Sequence, residues 1–265
     1  MKSVRAKKEY GQNFLKDSQI LNKIIESMPQ NGNHIVEIGP GLGDLTKHLV
    51  KYKDVTAYEV DTDLIGILKS KFADELSCKR LVLNHIDVLE FWHTQSSLHS
   101  SKYDLIANLP YYIATNIILR ALEDSLCEHI IVMVQKEVAL KFTARVNDSE
   151  YSSLGIITEL ISHSSKILFD VPPTAFDPAP KVTSSVLYIK KDLTKVVDKG
   201  FNSFLKACFM QPRKKLSKNL TSILDSSLID EIFNSLQVDS NKRPHEVSSS
   251  LYNQIYTKVK NGRDK

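Results

Sequence analysis

The sequence predicts a doubly wound α/β domain followed by a small α-helical domain. Three observations carry that prediction. Apolar strands alternate with amphipathic helices to about residue 145, a glycine-rich turn follows the first of them, and strand signals stop after Asp192. Strands joined by helical crossovers are the pattern of βαβ units and a parallel sheet.

The elements follow in order. Ile20, Leu21, Ile24, Ile25 and Met28 recur at helical spacing over 18–28, with Asp17 or Ser18 as N-cap and Pro29 and Gly32 as terminators. A short apolar strand at 35–38 runs into Gly39-Pro40-Gly41-Leu42-Gly43, and a helix is expected over 44–50. Strands are expected at 55–60, 80–84, 103–107 and 130–134, with helices at 64–76, 115–122 and 136–145. Beyond these, 154–161 reads as helix, and 165–170 and 184–190 as strands completing the sheet. Between those strands, four prolines in nine positions (172–180) predict a stiff, extended loop. Helices are expected near 199–210, 213–224, 228–236 and 246–260, which puts a domain boundary near 191: residues 1–190, with a basic arm at 1–17, and residues 191–265.

Composition narrows the function classes. The chain has 265 residues, 42% hydrophobic and 25% charged, an ordinary globular balance. Its longest unbroken apolar run, Ile130 to Val134, is far short of the ~20 residues a spanning helix needs, so no membrane partner is expected. The basic N-terminus has no apolar stretch behind it, so no secretory leader is expected. Cys78, Cys127 and Cys208 lie far apart, and the eight histidines lack ligand spacing. A cytoplasmic location and no metal are therefore expected. The net charge of +4 conceals a gradient. Residues 1–17 carry five basic and two acidic groups, 18–180 carry 14 and 21, and 181–265 carry 16 and eight. Two basic ends around an acidic middle suggest that the ends meet a polyanion.

Ligands of open α/β sheets bind at the carboxyl ends of the strands, so the residues following each strand carry the functional signal. After the first strand, Gly39 and Gly41 allow a tight turn and close ligand approach ahead of a helix. Gly43 comes one residue too early for the dinucleotide fingerprint. After the second strand stands Glu59, 20 residues beyond Gly39, where an acid grips ribose hydroxyls. Asp87 follows the third and can accept from an adenine amino group or cap a helix. After the fourth comes Asn108-Leu109-Pro110-Tyr111-Tyr112. Proline ends the strand with its carbonyls aimed at the cleft, Asn108 brings an amide acceptor and Tyr111 a flat face. Acceptors beside an aromatic platform suit a planar base that carries an amino group.

With these residues in view, the sequence resembles the ribosomal RNA adenine N6,N6-dimethyltransferases that act on small-subunit rRNA. The matching stretches are KKEYGQNFLKD (7–17), VEIGPGLGDLT (36–46), YEVD (58–61), HIDVL (85–89), NLPYY (108–112), FDPAPKVTSSV (176–186), FMQPRKKLSKNL (209–220) and KRPHEVS (242–248). They extend over nearly the whole chain, and the segment 93–102 carries none.

The resemblance implies a Rossmann-like domain dependent on S-adenosylmethionine, with a helical RNA-binding domain behind it. It implies that Asn13 and Leu15 close over the methyl donor, that Gly39 and Gly41 lie beside its methionine portion, and that Glu59 holds the ribose and Asp87 the adenine amine. Asn108 is placed where donor and target base meet. Asn108 Oδ1 and the Leu109 or Pro110 carbonyl would accept from the target amine, with Tyr111 and Phe176 stacking on opposite faces of a flipped adenine. Residues 206–218 hold Lys206, Arg213, Lys214, Lys215 and Lys218 without one acid, interleaved with Phe209 and Gln211. This stripe is expected on rRNA phosphates, with Lys7, Lys8 and Lys16 extending the footprint. The expected partner is 16S rRNA of the small subunit or its precursor, met by a monomer during ribosome biogenesis. Two other readings share this chemistry or this surface: a large-subunit rRNA dimethyltransferase of the macrolide-resistance type, and an RNA-binding assembly factor with incidental catalysis. A nicotinamide oxidoreductase shares the glycine turn but lacks a hydride-handling His or Lys near NLPYY.

Overall fold

The computed structural model describes residue 7 and residues 11–263. It divides into two compact units, one of residues 1–139 and 164–193, the other of 140–163 and 194–265.

The first unit is built on a seven-stranded sheet. Its strands in chain order are β2 (His34–Ile38), β3 (Val55–Glu59), β4 (Leu81–His85), β5 (Tyr103–Asn108), β6 (Cys127–Gln135), β7 (Ser162–Val171) and β9 (Ser184–Lys191). In space they run β4-β3-β2-β5-β6-β9-β7. The first five are mutually parallel, and β9 enters antiparallel to β6. The chain leaves β2 towards β3 on one side and later reaches β5 on the other, so the sheet's switch point lies between β2 and β5. Their carboxyl ends open a crevice there. The central strands are buried on both faces, as helix-covered parallel strands must be.

The helices flanking the sheet are α1 (Ser18–Glu26), α2 (Thr46–Leu49), α3 (Thr62–Lys71), α4 (Ala73–Ser77), α5 (Val88–Thr94) and α6 (Ala114–Glu123). Asp17 caps α1, its Oδ1 accepting from Gln19 N (2.8 Å) and Ile20 N (3.2 Å), while Ile20, Leu21, Ile24 and Ile25 turn inward. Ahead of it, β1 (Phe14–Leu15) pairs antiparallel with β8 (Phe176–Asp177), Leu15 opposite Phe176. Sequence reading missed this two-residue ladder, which is too short to show any periodicity.

Several expectations are corrected. The helix expected over 44–50 is mostly turn, with only α2 helical. The helix expected over 64–76 is broken at Phe72 (φ −116°, ψ 32°), whose ring packs into the space beside Gly43. Residues 93–102, which carry no family stretch, are nonetheless built into the fold: α5 runs into them, and Leu98 is buried with its carbonyl accepting from Tyr58 Oη at 2.7 Å. The proline-rich loop contains a 3₁₀ turn (Pro173–Ala175) and β8.

The second unit contains α8 (Ser153–Ile161), α9 (Lys199–Cys208), α10 (Leu216–Leu220), α11 (Ser226–Ser235) and α12 (Ser249–Arg263). The chain enters it within α7 (Lys136–Thr143). The boundary expected near 191 is therefore incomplete, because Leu140–His163 was assigned to the first domain. The cause is packing: α8 lies against α9 and α12, and an apolar helix face does not announce in sequence which partner will cover it. The helix expected over 213–224 begins only at Leu216, after a turn.

Gly43 tests the packing of the glycine turn. It sits at φ +75°, and a Cβ there would lie 2.5 Å from Phe72 Cε2. Gly43→Ala is expected to destabilise the fold by about 2 kcal/mol or more, from left-handed backbone and overpacking together. Thermal unfolding should show a lowered Tm, while donor affinity of the folded fraction stays near the parent value.

Candidate active site

A cleft of about 950 Å³, its open mouth included, lies at the carboxyl ends of β2, β3 and β5. Its walls bring together Asn13, Leu15, Gly39, Gly41, Glu59, Asp87, Asn108, Leu109, Pro110 and Tyr111, all expected from sequence. Gly39 and Gly41 have φ of +67° and +60°, which lets the turn pass close beneath the cleft. Gly41 N–H donates to Glu59 Oε2 (3.3 Å), and Glu59 Oε1 accepts from Val60 N and Asp61 N, both at 2.9 Å. These bonds fix a carboxylate only 6% exposed. Burial raises its pKa, and the three backbone donors oppose that shift. Asp87 caps α5 through Oδ1, accepting from Leu89 N and Glu90 N (2.8 and 3.3 Å). Both capping bonds fall on one oxygen, so capping does not use Oδ2.

At the end of β5, Asn108 Nδ2 donates to the Asn13 carbonyl at 3.0 Å. That bond leaves Oδ1 as the amide's acceptor. Leu109 N–H is taken by the Met133 carbonyl (3.1 Å), and the Pro110 carbonyl accepts from Ile113 N (3.2 Å). Tyr111 Oη lies 2.6 Å from Ser184 Oγ, which fixes the ring, and burial raises its pKa.

Phe176 is the expectation that fails. It is 5% exposed, belongs to the core cluster with Leu15, Ile20 and Ile24, and does not line the cleft. The aromatic side chains in the wall besides Tyr111 are Phe14, Tyr58 and Tyr112, the last 59% exposed. Lys7 also departs from its expected role on RNA: its Nζ lies 2.7 Å from both Asp61 Oδ1 and Asp63 Oδ2. Those bonds raise its pKa. Lys16 pairs with Asp44 at 2.5 Å. Lys8 lies outside the described residues.

Sequence reasoning assigned no role to Gln12, Glu37 or Asp61. Gln12 and Glu37 line the cleft, and the signal for all three was their place inside the GQNFL, VEIGPG and YEVD stretches. Glu37 is fully buried and accepts from Thr46 Oγ1 at 2.6 Å. Among the described residues no group of three His, Cys, Asp or Glu side chains could hold a metal. No helix there is long and apolar enough to cross a membrane.

In the helical unit, Lys206, Arg213, Lys214, Lys215 and Lys218 are all exposed. The turn carrying Arg213 and Lys214 is clipped by buried Asn219. Its Oδ1 accepts from Gln211 N (2.7 Å), and its Nδ2 donates to the Gln211 and Lys215 carbonyls (3.1 Å each). Leu216 N donates to the Lys242 carbonyl at 2.8 Å, which brings exposed Arg243 beside the stripe. Arg243 was missed because it lies 25 positions beyond Lys218, the end of the run.

Burial pushes the Glu37 carboxyl up to about 8, against the Thr46 bond, with the nearby Glu59 charge adding to the rise. The unfolded chain ionises this group near 4.5, so the neutral carboxyl stabilises the fold fully below that pH. The contribution is lost as pH rises through about 8. Glu37→Gln should therefore flatten the fall in Tm of the cofactor-free protein between about pH 5 and 8. An unchanged profile would show Glu37 to be ionised already.

Comparison with known proteins places this geometry. The profile of the family described as "Ribosomal RNA adenine dimethylase" matches residues 3–261. The chain is 76% identical over 265 residues to Ribosomal RNA small subunit methyltransferase A of Aliarcobacter butzleri, covering 100% of both chains. To the Sulfurimonas denitrificans protein of the same name it is 52% identical over 256 residues, covering 97% of this chain and 94% of that one. The solved structure of a dimethyladenosine transferase from Plasmodium falciparum superposes with a TM-score of 0.79 at 22% identity, covering 94% of this chain and 98% of that one. This last likeness confirms the Rossmann-like methyltransferase fold. A match of this extent, over strand-end residues that converge on one cleft, settles the assignment: the chain belongs to the ribosomal RNA adenine dimethylase family.

Proposed function

We propose that the cleft transfers methyl groups from S-adenosylmethionine to N6 of adenines in small-subunit 16S rRNA, two adjacent adenines being dimethylated during ribosome biogenesis. The carrying observation is Asn108, whose amide is oriented by the Asn13 carbonyl so that an acceptor remains at the strand end.

The residues present fit the donor. Glu59 is a fixed acceptor for ribose hydroxyls, Asp87 keeps a second oxygen for an adenine amine, and Ile38, Ile86 and Val88 supply apolar wall for a planar ring. Gly39 and Gly41 bring backbone close to the methionine portion, while Asn13 and Leu15 cover it. When bound, the donor supplies a methyl group on a sulfonium, whose carbon–sulfur bond breaks as the adenine nitrogen forms its bond to carbon.

The chain's own work is positioning and electrostatics. Adenine N6 is a weak nucleophile because its lone pair is delocalised into the ring. Asn108 Oδ1 accepts from the N6 amino group, which favours a pyramidal nitrogen and stabilises its developing positive charge. The second acceptor is the carbonyl of Leu109 or Pro110, the latter already accepting one bond from Ile113 N. Tyr111 stacks on the flipped base, a contact typically worth ~1–3 kcal/mol. No side-chain base is required, since the methylated ammonium loses its proton to water. The helical unit's basic stripe, with Arg243 added, binds rRNA phosphates. The substrate is read as the subunit or its precursor, the enzyme as a cytoplasmic monomer.

Asn108→Ala is expected to abolish methylation of small-subunit rRNA while donor affinity, read by calorimetry, falls only modestly. Substantial residual turnover would refute the assignment. Neutralising Arg213, Lys214 and Lys215 together should reduce the slope of log Kd against log salt by about two to three, the counterions those contacts release. An unchanged slope would remove the stripe from the interface.

A further inference from the structure

We propose that Asp61 is a positioning residue for methyl transfer: through Gln12 and Lys7 it holds the Asn13 carbonyl that orients the Asn108 amide. The inference rests on the reading of Asn108 given above and extends it to a residue outside the cleft wall.

Asp61 stands two residues past Glu59, its side chain 2% exposed. A buried carboxylate is costly unless paired, and here each oxygen is engaged. Oδ1 accepts from Lys7 Nζ (2.7 Å) and Asp63 N (3.0 Å), and Oδ2 from Gln12 Nε2 (2.8 Å). Burial alone would raise its pKa, but the Lys7 and Gln12 bonds outweigh burial and hold it below the ordinary range. Asp61 is therefore charged at neutral pH.

Gln12 is gripped at both ends, since its Oε1 also accepts from Lys7 N at 2.8 Å. The next residue is Asn13, whose Nδ2 donates to the Gly11 carbonyl (3.1 Å) and whose own carbonyl receives Asn108 Nδ2. A continuous path thus runs from Asp61 through Gln12 and Asn13 to Asn108. The path matters because an amide is nearly symmetric in shape. Flipped by half a turn, Asn108 would present Nδ2 to the target amine, donor against donor. The Asn13 carbonyl selects the productive orientation, and it is only as well placed as the segment bearing it. Asp61 N–H also donates to Glu59 Oε1, so one residue ties the donor's ribose acid to the acceptor amide.

Asp61→Asn separates this role from helix capping. Asn caps as well as Asp and keeps an oxygen for Asp63 N and Lys7 Nζ, but it loses the charge that Lys7 pairs with, and its NH₂ faces the Gln12 Nε2 donor. With donor saturating, the single-turnover methylation rate should fall about tenfold in Asp61→Asn and several-fold in Lys7→Ala, with donor Kd moving less than about threefold. Lys7→Arg should restore the rate to within about twofold. The double variant Lys7→Ala/Asp61→Asn should be no slower than Asp61→Asn alone, since both break one path. Equal loss of rate and donor affinity, multiplicative losses in the double variant, or full activity in Lys7→Ala would each overturn the proposal. Should Asp61→Asn fail to fold, Gln12→Leu interrupts the same path and is read by the same criteria. Asn108→Ala run alongside separates the two claims: if it is inactive while the Asp61 and Lys7 variants are unimpaired, this inference fails and the role of Asn108 stands.

Discussion

The hydrogen bond from Asn108 Nδ2 to the Asn13 carbonyl, 3.0 Å long, joins residues 95 positions apart and fixes what the cleft can do. It commits the amide's donor to the protein and leaves its acceptor at the end of β5. The sheet order sets the strand end at the switch point, and proline at 110 stops the strand there. The N-terminal segment supplies the carbonyl, itself anchored by β1 pairing with β8 and by Gln12 on Asp61. In the proposed reaction, transfer to a weak amine nucleophile depends on acceptors of fixed direction, and the fold's work converges on this bond.

Charge is distributed to match the two halves of the reaction. Glu59 and Asp87 line the cleft, an acidic surround suited to a cationic methyl donor, while the helical unit presents exposed lysines and arginines suited to phosphates. Lys7 and Lys16, near the cleft in sequence terms, are engaged by Asp61, Asp63 and Asp44. These two lysines therefore serve the cleft's architecture, and the proposed phosphate footprint shifts towards Arg213, Lys214 and Arg243.

Much of this was legible in the residues. Ile20, Leu21, Ile24 and Ile25 announce α1, Asp17 caps it, and the strand-end residues Gly39, Glu59, Asp87 and Asn108 share one cleft because parallel sheets gather their carboxyl ends. Illegible features have a common physical cause: they depend on which surfaces meet. Phe176 reads as an exposed loop aromatic among prolines, yet pairing with β1 turns it into the core. The helix α8 carries an apolar face with no label for its partner, and it joined the helical unit. The bond from Asp61 to Gln12 spans 49 residues, beyond any local pattern.

The proposed product of this chain is N6,N6-dimethyladenosine in small-subunit rRNA. Mass spectrometry of small-subunit rRNA, from cells with the protein and from cells deprived of it, measures that product directly. Dimethyladenosine is expected to disappear without the protein and to return when the wild-type chain is restored. Undiminished dimethyladenosine in its absence would contradict the proposal.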